Sequence, residues 1–529
     1  MTIDHGNGTP GRPSELWSLR EDVQVSLEPG DGPVRLHSHW GDVTIERPSP
    51  LVREALHRMR LGPISLENVI GREPEPDEDD AGADALRIRL YDVLDRIQPL
   101  IIRTLRFETG QPLLSVVPLT PRARFNPEPL PPDAYIRLST FAELRTDGRE
   151  YRLESPLALH RVLLHRPEAI SLIGSLGRPT AVSSDAWTPL AAISADALAY
   201  LAAAGMVVLT PGPNSAEGSG LLDDAEEPEL AGWAPADLMF HTRSTSGRHD
   251  NAFGITYPLG QAGSPEPVVV PSQAPGIELH RPCWEDLAAA DPPLAVVMEG
   301  RRSTRVHGAE PVTADELGDL LYRTARVRAL IAPPGSGSGS FLAGEPDPRL
   351  SDRPYPGGGA CYELELYVTV GRCSGLSRGV YHYDPLGHQL ELVSSERKTV
   401  DSLLMSAAER ASMEVAPQLL LTITARYRRI SWKYEGIAYA TVLKDVGVLF
   451  QNLYLVCTAM RLAPCALGSV RADANAHALG TDWLLEPSVG QFIVGRAPDA
   501  LSEYEWEWRP ANDAQWADQA RARLREPSR

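Results

Sequence analysis

Lysine is nearly absent from this chain. Of 51 basic residues only three are lysines, Lys398, Lys433 and Lys444, all in the last quarter. A guanidinium stays protonated at working pH, whereas a desolvated amine can give up its proton near neutrality, so a retained lysine is a candidate proton acceptor. Lys433 stands in Trp432-Lys433-Tyr434-Glu435, beside a phenol able to relay or orient a proton. The competing role is a pairing with Glu435 or packing of the stem on Trp432. Lys398 and Lys444 read as ordinary side chains. A second cluster, Arg301-Arg302-Ser303-Thr304-Arg305, gathers three guanidiniums and hydroxyls within five residues. That is either an anion site suited to phosphate oxygens or a solvated charge run. A third candidate is Pro356-Gly357-Gly358-Gly359, where glycines allow backbone to approach a flat ligand closely.

These residues need a scaffold, and the second half of the chain supplies its pattern. Val312-Thr313-Ala-Asp-Glu316-Leu317 is a capping box with a candidate hydrophobic staple, and Leu317, Leu320, Leu321 and Ala325 continue as one helical face. Period-two alternation predicts a strand at 362–370, and 380–383, 389–393, 419–425 and 492–494 read as further strands of an antiparallel sheet. The stretch 442–460 reads as a helix apolar nearly all round, buried in a large core or at a subunit interface. The first half carries a weak repeat. Strand patterns at 34–45 lead to Ser49-Pro50-Leu51, a helix through Leu56 and Met59, and Gly62-Pro63. Strand patterns at 135–153 lead to Ser155-Pro156-Leu157, a helical pattern through Val162 and Leu163, and a helix at 192–204. Each copy has the layout of a winged-helix module, more often a docking platform than a catalytic centre. Between them, 72–82 reads as a solvated acidic loop, and 211–282 as an irregular connector with strand-like islands at 238–241 and 268–270.

Several function classes are excluded. The net charge of −19 opposes nucleic acid or an anionic membrane as main partner. No run approaches the roughly 18–20 uninterrupted apolar residues of a membrane span, and the start has no signal-peptide pattern, so a cytoplasmic protein is expected. The five cysteines, Cys283, Cys361, Cys373, Cys457 and Cys465, form no CxxC pair and read as reduced and mostly structural. His37 and His39 lack a third metal ligand nearby, and no metal is expected. The Gly-Ser repeat at 335–340 lacks the Lys-Ser/Thr of a phosphate-binding loop, and Ser395-Glu-Arg-Lys398 stands without the Lys-Thr-Gly its catalytic reading needs.

Read in order, the motifs resemble one family. Arg301-Arg-Ser-Thr-Arg, Asp352-Arg353-Pro354-Tyr355-Pro356-Gly-Gly-Gly359-Ala-Cys-Tyr362-Glu-Leu-Glu-Leu-Tyr367, Gly379-Val-Tyr-His-Tyr383-Asp and Trp432-Lys-Tyr-Glu435 fall as they do in SagB-type dehydrogenases. Asp445-Val-Gly447, Gln451-Asn452-Leu453 and Gly490-Gln-Phe-Ile-Val-Gly495 complete the series. These are flavin-dependent oxidases of thiazole/oxazole-modified peptide biosynthesis, a branch of the nitroreductase-like superfamily, and the resemblance spans about 291–500. It implies an α+β fold, a nitroreductase-like FMN domain with an antiparallel sheet flanked by helices, preceded by the two small winged-helix-like modules. It further implies FMN at the interface of an obligate homodimer. Arg301, Arg302, Ser303 and Arg305, with Arg496 near the last strand, would hold its phosphate. Gly468 and Ser469 would give a second backbone contact, and Pro356 to Gly359 would pack on the ring system from the opposite subunit. Relatives usually place Ser where this chain has Gly357, so a backbone N–H must supply that hydrogen bond. Asp237-Leu-Met-Phe240-His241-Thr-Arg243-Ser244 resembles a segment preceding the flavin domain in long family members.

The implied reaction is oxidation of thiazoline or oxazoline rings to azoles in a ribosomally made peptide. Loss of the ring Cα proton and of a hydride from the neighbouring carbon needs a base beside the flavin, and Lys433 and Tyr434 match that pair. Which of them takes the proton stays open. Expected partners are the azoline-containing precursor peptide, a second copy of the chain and a cyclodehydratase complex. Two alternatives stand: an NAD(P)H-dependent nitroreductase-like enzyme acting on small molecules, and a non-catalytic peptide-binding scaffold. The expected division is module one at 1–120, module two at 126–212, connector at 213–290, FMN domain at 291–510 and a tail at 511–529.

Overall fold

The computed structural model describes residues 14–30, 32–70, 80–107, 109–146, 148–184, 187, 193–210, 229–260, 265–269, 276–331, 350–498 and 515–525. The Gly-Ser repeat at 335–340, the acidic stretch 72–79 and much of the 211–282 connector lie outside them. The chain divides into two compact units, Met1–Asn251 and Ala252–Arg529.

In the first unit, Gln24–Leu27, Val34–Ser38 and Gly41–Ile45 form a three-stranded antiparallel ribbon. Helices Pro50–Met59, Glu67–Ile70 and Asp80–Arg96 follow it. Ser49 caps the first of these by accepting from the Val52 N–H, and Pro50 takes the first helical position, where its missing N–H costs nothing. The expected second copy differs. Strands Ser14–Leu19, Ile101–Arg106, Pro112–Pro118, His160–Leu164, Tyr151–Glu154 and Glu143–Thr146 lie in that order in one six-stranded sheet, so segments of both expected modules share hydrogen bonds. Val162 and Leu163, read as helical, are in the strand His160–Leu164 between two neighbours, where burial alternates with period two. The helix of that region is instead Pro167–Ser175, with a second at Ser194–Ala203. The island at 238–241 is likewise helical, within Pro235–Arg243. A proline at the first helical position opens it, a start signal that outweighs the short apolar run.

The second unit is built on a seven-stranded antiparallel sheet. Its strands are β1 (Ile277–Glu278), β2 (Leu364–Val370), β3 (Gly379–Asp384), β4 (Gln389–Ser394), β5 (Leu419–Ala425), β6 (Leu462–Leu467) and β7 (Ser488–Arg496), ordered β1-β4-β3-β2-β5-β7-β6. Helices α1 (Ala314–Ala325) and α3 (Ala438–Ala459) cover one face, and α2 (Arg397–Ala411) covers the other. Double coverage explains why β5 reads as a nearly continuous apolar run and why every residue of β2 is buried although its sequence alternates. Leu364, Leu366, Val368 and Val370 of β2 face α1 and α3, whereas Tyr367 packs with α2.

The expected capping box is present. Thr313 Oγ1 accepts from Glu316 N–H at 3.2 Å, Glu316 Oε2 accepts from Thr313 N–H at 2.9 Å, and Val312 and Leu317 are buried in one cluster. Helix α3 is long and apolar enough to cross a membrane by length and composition, yet it packs Val442, Leu449, Leu453 and Cys457 into the core. It is not buried all round: Tyr439, Leu443 and Val448 are 41%, 42% and 36% exposed, the first two one turn apart on a shared apolar patch and Val448 further round the helix.

Candidate functional site

Lys433 and Tyr434 lie where helix Tyr427–Ser431 ends and a two-residue strand, Tyr434–Glu435, pairs with Gly254–Ile255. Trp432 anchors the turn: it is 2% exposed and its indole N–H donates to Gly260 O at 3.1 Å. The amine of Lys433 is not held by Glu435. Glu435 accepts from Thr256 Oγ1 at 3.0 Å, while Lys433 Nζ donates to Gly359 O at 3.0 Å. Lys398 and Lys444 are exposed on α2 and α3.

The loop that meets the amine is strained. Gly359 has φ 58°, and the non-glycine residues Ala360 and Tyr362 follow at 56° and 48°, a left-handed cluster of the kind that surrounding structure must hold in place. Close approach explains the glycines. A Cβ at Gly359 would stand 2.3 Å from Tyr434 Oη and 2.8 Å from Lys433 Nζ, and one at Gly358 would stand 2.2 Å from Thr441 Cγ2 on α3. Gly358 N–H donates to Asp445 Oδ2 at 2.9 Å. Gly357, on the partly buried side of exposed Pro356, packs beside the Tyr362 ring.

Behind the loop, burial shapes the electrostatics. Glu363 is fully buried, and burial together with the neighbouring Asp445 pushes its carboxyl well above the usual range. Asp445 is raised as well, chiefly by burial. Burial also raises the Tyr434 phenol and pushes the Cys361 thiol up to about 11, which leaves that thiol protonated. Arg429, with no exposed surface, donates to Cys361 O at 2.9 Å and Pro265 O at 2.7 Å, fixing the far end of the loop.

The arginine cluster lies elsewhere in the unit, in an extended segment along β6, where Thr304 N–H donates to Pro464 O at 2.8 Å. Ser303 Oγ and Tyr454 Oη share a 2.7 Å hydrogen bond, Tyr454 Oη accepts from Ala466 N–H at 2.8 Å, and the Arg301 guanidinium stands 5.1 Å over the same ring. Arg301 has no ion-pair partner among the described residues. A cation and a hydroxyl gathered at one surface fit a phosphate by donor chemistry. Arg305 is exposed and Arg302 half-buried in the same segment. Arg496 is engaged within the chain: its two terminal nitrogens bond both Glu316 oxygens at 2.6 and 2.5 Å, beside the cap of α1. Gly468 and Ser469 are exposed where β6 ends.

The structure thus unites Lys433, Tyr434 and the Gly357 to Gly359 loop, and separately Arg301 with Ser303. Helix α3 carries both, through Asp445 and Tyr454, nine residues and about 13 Å apart along its axis. The cavity found elsewhere, about 740 Å³ between Trp17, Tyr91, Arg103 and Phe125, belongs to the first unit. His37 and His39 each pair with one aspartate, Asp42 and Asp22. All five cysteines are free thiols. Reading the residues singly missed Tyr454, Glu363 and Asp445. The available signal was an acid in an otherwise apolar helix.

Two family models match the chain: the nitroreductase family at residues 298–496 and the cyanobactin oxidase ThcOx at 136–250. The first covers the sheet from β2 to β7 and both site clusters. The second covers most of the expected second module and the 237–244 segment. Among individual proteins, the one named nitroreductase MJ1384 from Methanocaldococcus jannaschii is 28% identical over 36% of this chain and 84% of its own length. The microcin B17-processing protein McbC of Escherichia coli is 32% identical over 21% of this chain and 42% of its own. The trifolitoxin-processing protein TfxB of Rhizobium leguminosarum bv. trifolii is 27% identical over 27% and 39%. The chain therefore spans less than half the length of either peptide-processing relative.

Proposed function

We propose that this chain, a SagB-type oxidoreductase of the nitroreductase-like superfamily, uses FMN to oxidise thiazoline or oxazoline rings to azoles in a ribosomally made peptide. One observation carries the reading. In a chain with three lysines, the two exposed ones lie on helix surfaces, and the third sets its amine and a neighbouring phenol against a strained glycine loop. Bound FMN would supply the hydride acceptor. The rest falls to the protein. Lys433 or Tyr434 takes the ring Cα proton, the loop from Pro356 to Gly359 packs on the flavin ring, and Arg301, Arg302, Ser303 and Arg305 hold the phosphate, with Gly468 and Ser469 adding backbone contact.

The exposed apolar pair Tyr439 and Leu443, one turn apart on α3, supports a homodimer, in which each copy completes the other's flavin site. The first unit, similar at 136–250 to a cyanobactin oxidase, would dock the precursor peptide or a cyclodehydratase complex, with strand addition to a small sheet edge as the plausible mode. Free thiols throughout suit a reducing cytoplasm.

The deciding experiment is the absorption spectrum of purified protein, followed by mass spectrometry of an azoline peptide incubated with it. A flavin spectrum and loss of two hydrogens per ring support the reading. The match over most of the protein named nitroreductase MJ1384 favours a second reading, NAD(P)H-dependent reduction of small molecules. Rapid flavin reduction by NAD(P)H with no change in peptide mass would select it. Colourless protein that takes up no FMN yet binds peptide would instead indicate a scaffold.

A further inference from the structure

We propose that Glu363 and Asp445 share a single proton and act as one positioning unit, setting the Lys433 amine through the peptide of Gly358 and Gly359. The inference rests on the reading of Lys433 as the amine beside the flavin and adds residues to which that reading gives no role.

The argument starts from an accounting of donors. Glu363 has no exposed surface, and neither of its carboxyl oxygens meets a donor when written as a carboxylate. Its hydrogen-bonding neighbour is Asp445, itself 7% exposed and accepting one N–H, that of Gly358. Two buried like charges with a single N–H between them are costly. One proton held between them converts the repulsion into a charge-assisted O–H···O bond and satisfies one of the two orphaned Glu363 oxygens. The remaining groups facing the pair do not replace that proton. Arg353, in the segment before the loop, donates Nη1 to Leu364 O, and its charge acts on Glu363 less than burial and Asp445 do. Lys444 acts on Asp445 from an exposed place on the same helix. Tyr355, Cys361 and Tyr434 are kept neutral by burial.

From the pair, the constraint runs forward by two hydrogen bonds. Asp445 Oδ2 holds Gly358 N–H at 2.9 Å, and the next residue's carbonyl, Gly359 O, holds Lys433 Nζ at 3.0 Å. The intervening backbone is left-handed at Gly359, a conformation that needs support from both sides. Removing the carboxylate frees Gly358 N–H, and the Gly359 carbonyl then turns away from the amine. Asp445 and Glu363 are thus positioning residues, and a neutral amide at 363 is a fair copy of the protonated acid.

The test uses full-length, flavin-free protein and acetic anhydride, with modification of each lysine read by peptide mass spectrometry. Exposed Lys398 is the internal reference. In Asp445→Ala the Lys433/Lys398 rate ratio rises about fivefold, the equivalent of one hydrogen bond of about 1 kcal/mol lost from the amine. In Glu363→Gln it stays within about twofold. An unchanged ratio in Asp445→Ala, or an equal rise in Glu363→Gln, overturns the proposal. Should Asp445→Ala not fold, infrared spectra decide. The carbonyl stretch of a protonated carboxyl is present in the wild type at pH 7 and lost in Glu363→Gln; its absence from the wild type overturns the shared proton. Neither readout needs flavin or azoline. Wild-type protein that fails to oxidise an azoline peptide refutes the proposed function alone, and active wild-type protein with an unmoved lysine ratio refutes this inference alone.

Discussion

Replacing Gly359 by alanine perturbs the site by a methyl group at its narrowest point. The new Cβ would stand 2.3 Å from Tyr434 Oη and 2.8 Å from Lys433 Nζ, against an ordinary contact of about 3.5 Å, so the phenol must retreat by about 1 Å. The backbone penalty is separate. Alanine at φ 58° costs about 1–2 kcal/mol, which for a unit of this size lowers Tm by about 2–4 °C per kcal/mol. A displacement of about 1 Å at reacting groups costs about 100-fold in rate. The expected result of Gly359→Ala is therefore a folded, yellow protein with kcat for azoline oxidation down about 100-fold, followed by loss of two hydrogens per ring. Gly174→Ala is the control. That glycine lies inside helix Pro167–Ser175 with nothing within 4 Å of the added methyl, and alanine there stabilises by up to about 1 kcal/mol. Wild-type kcat in folded Gly359→Ala would refute the claim that the amine and phenol act from where they stand.

Lys433→Ala is expected to abolish the loss of two hydrogens while the flavin spectrum persists; full turnover in that variant removes the amine from the reaction. Arg301→Ala is expected to weaken FMN binding about 10- to 100-fold, the worth of one charge-assisted contact to phosphate, measured by fluorescence titration of stripped protein; unchanged affinity would place the phosphate elsewhere. Leu443→Arg puts a charge beside Tyr439 on the exposed apolar patch of α3 and is expected to yield a monomer with little bound flavin in light-scattering chromatography; a dimer of unaltered colour would clear that patch of the interface. Acid should destabilise both units. Burial lowers His160 in the first and His307 in the second from 6.5 to about 4. The neutral form is the folded one, so their contribution is complete above pH 6.5 and is lost as pH falls through about 4, about 3 kcal/mol for each. Melting curves between pH 8 and 4 should show Tm falling over that window, less steeply in His160→Gln and His307→Gln; equal slopes in wild type and both variants would contradict it.

The sheet of the second unit was legible because its physics is local. Expected strands at 419–425 and 389–393 match β5 and β4, and the capping box starts α1 where the Thr313 and Glu316 spacing places it. The first unit was harder for an equally physical reason. Val162 and Leu163 lie beside a proline-initiated helix, and a short apolar run there fits either period until its hydrogen-bonding neighbours are known. Those neighbours, at 112–118 and 151–154, include a strand from the other expected module. Alternation alone cannot reveal that two repeats share a sheet. Helix α3 shows the same limit: the pattern established that it is apolar, but only packing separates the buried line through Val442 and Leu449 from the bare patch at Tyr439 and Leu443.

For the site, residue type carried more information than spacing. One of only three lysines in an arginine-rich chain and a run of three glycines each stood out, and the structure sets Lys433 Nζ 3.0 Å from the carbonyl of Gly359, 74 positions away. Arg496 shows what type leaves out. A basic residue near the last strand fits a phosphate equally well whether its charge is free or spent, and only the fold brings Glu316 of the α1 cap against it. Asp445 shows the reverse. An acid in an apolar helix reads as a blemish, yet its cost in burial is the reason it must find a partner, and the partners it finds are a backbone N–H 87 positions away and a carboxyl fully sealed from water. A buried charge that a chain retains at such expense holds something in place, and here what it holds is the loop that faces the amine.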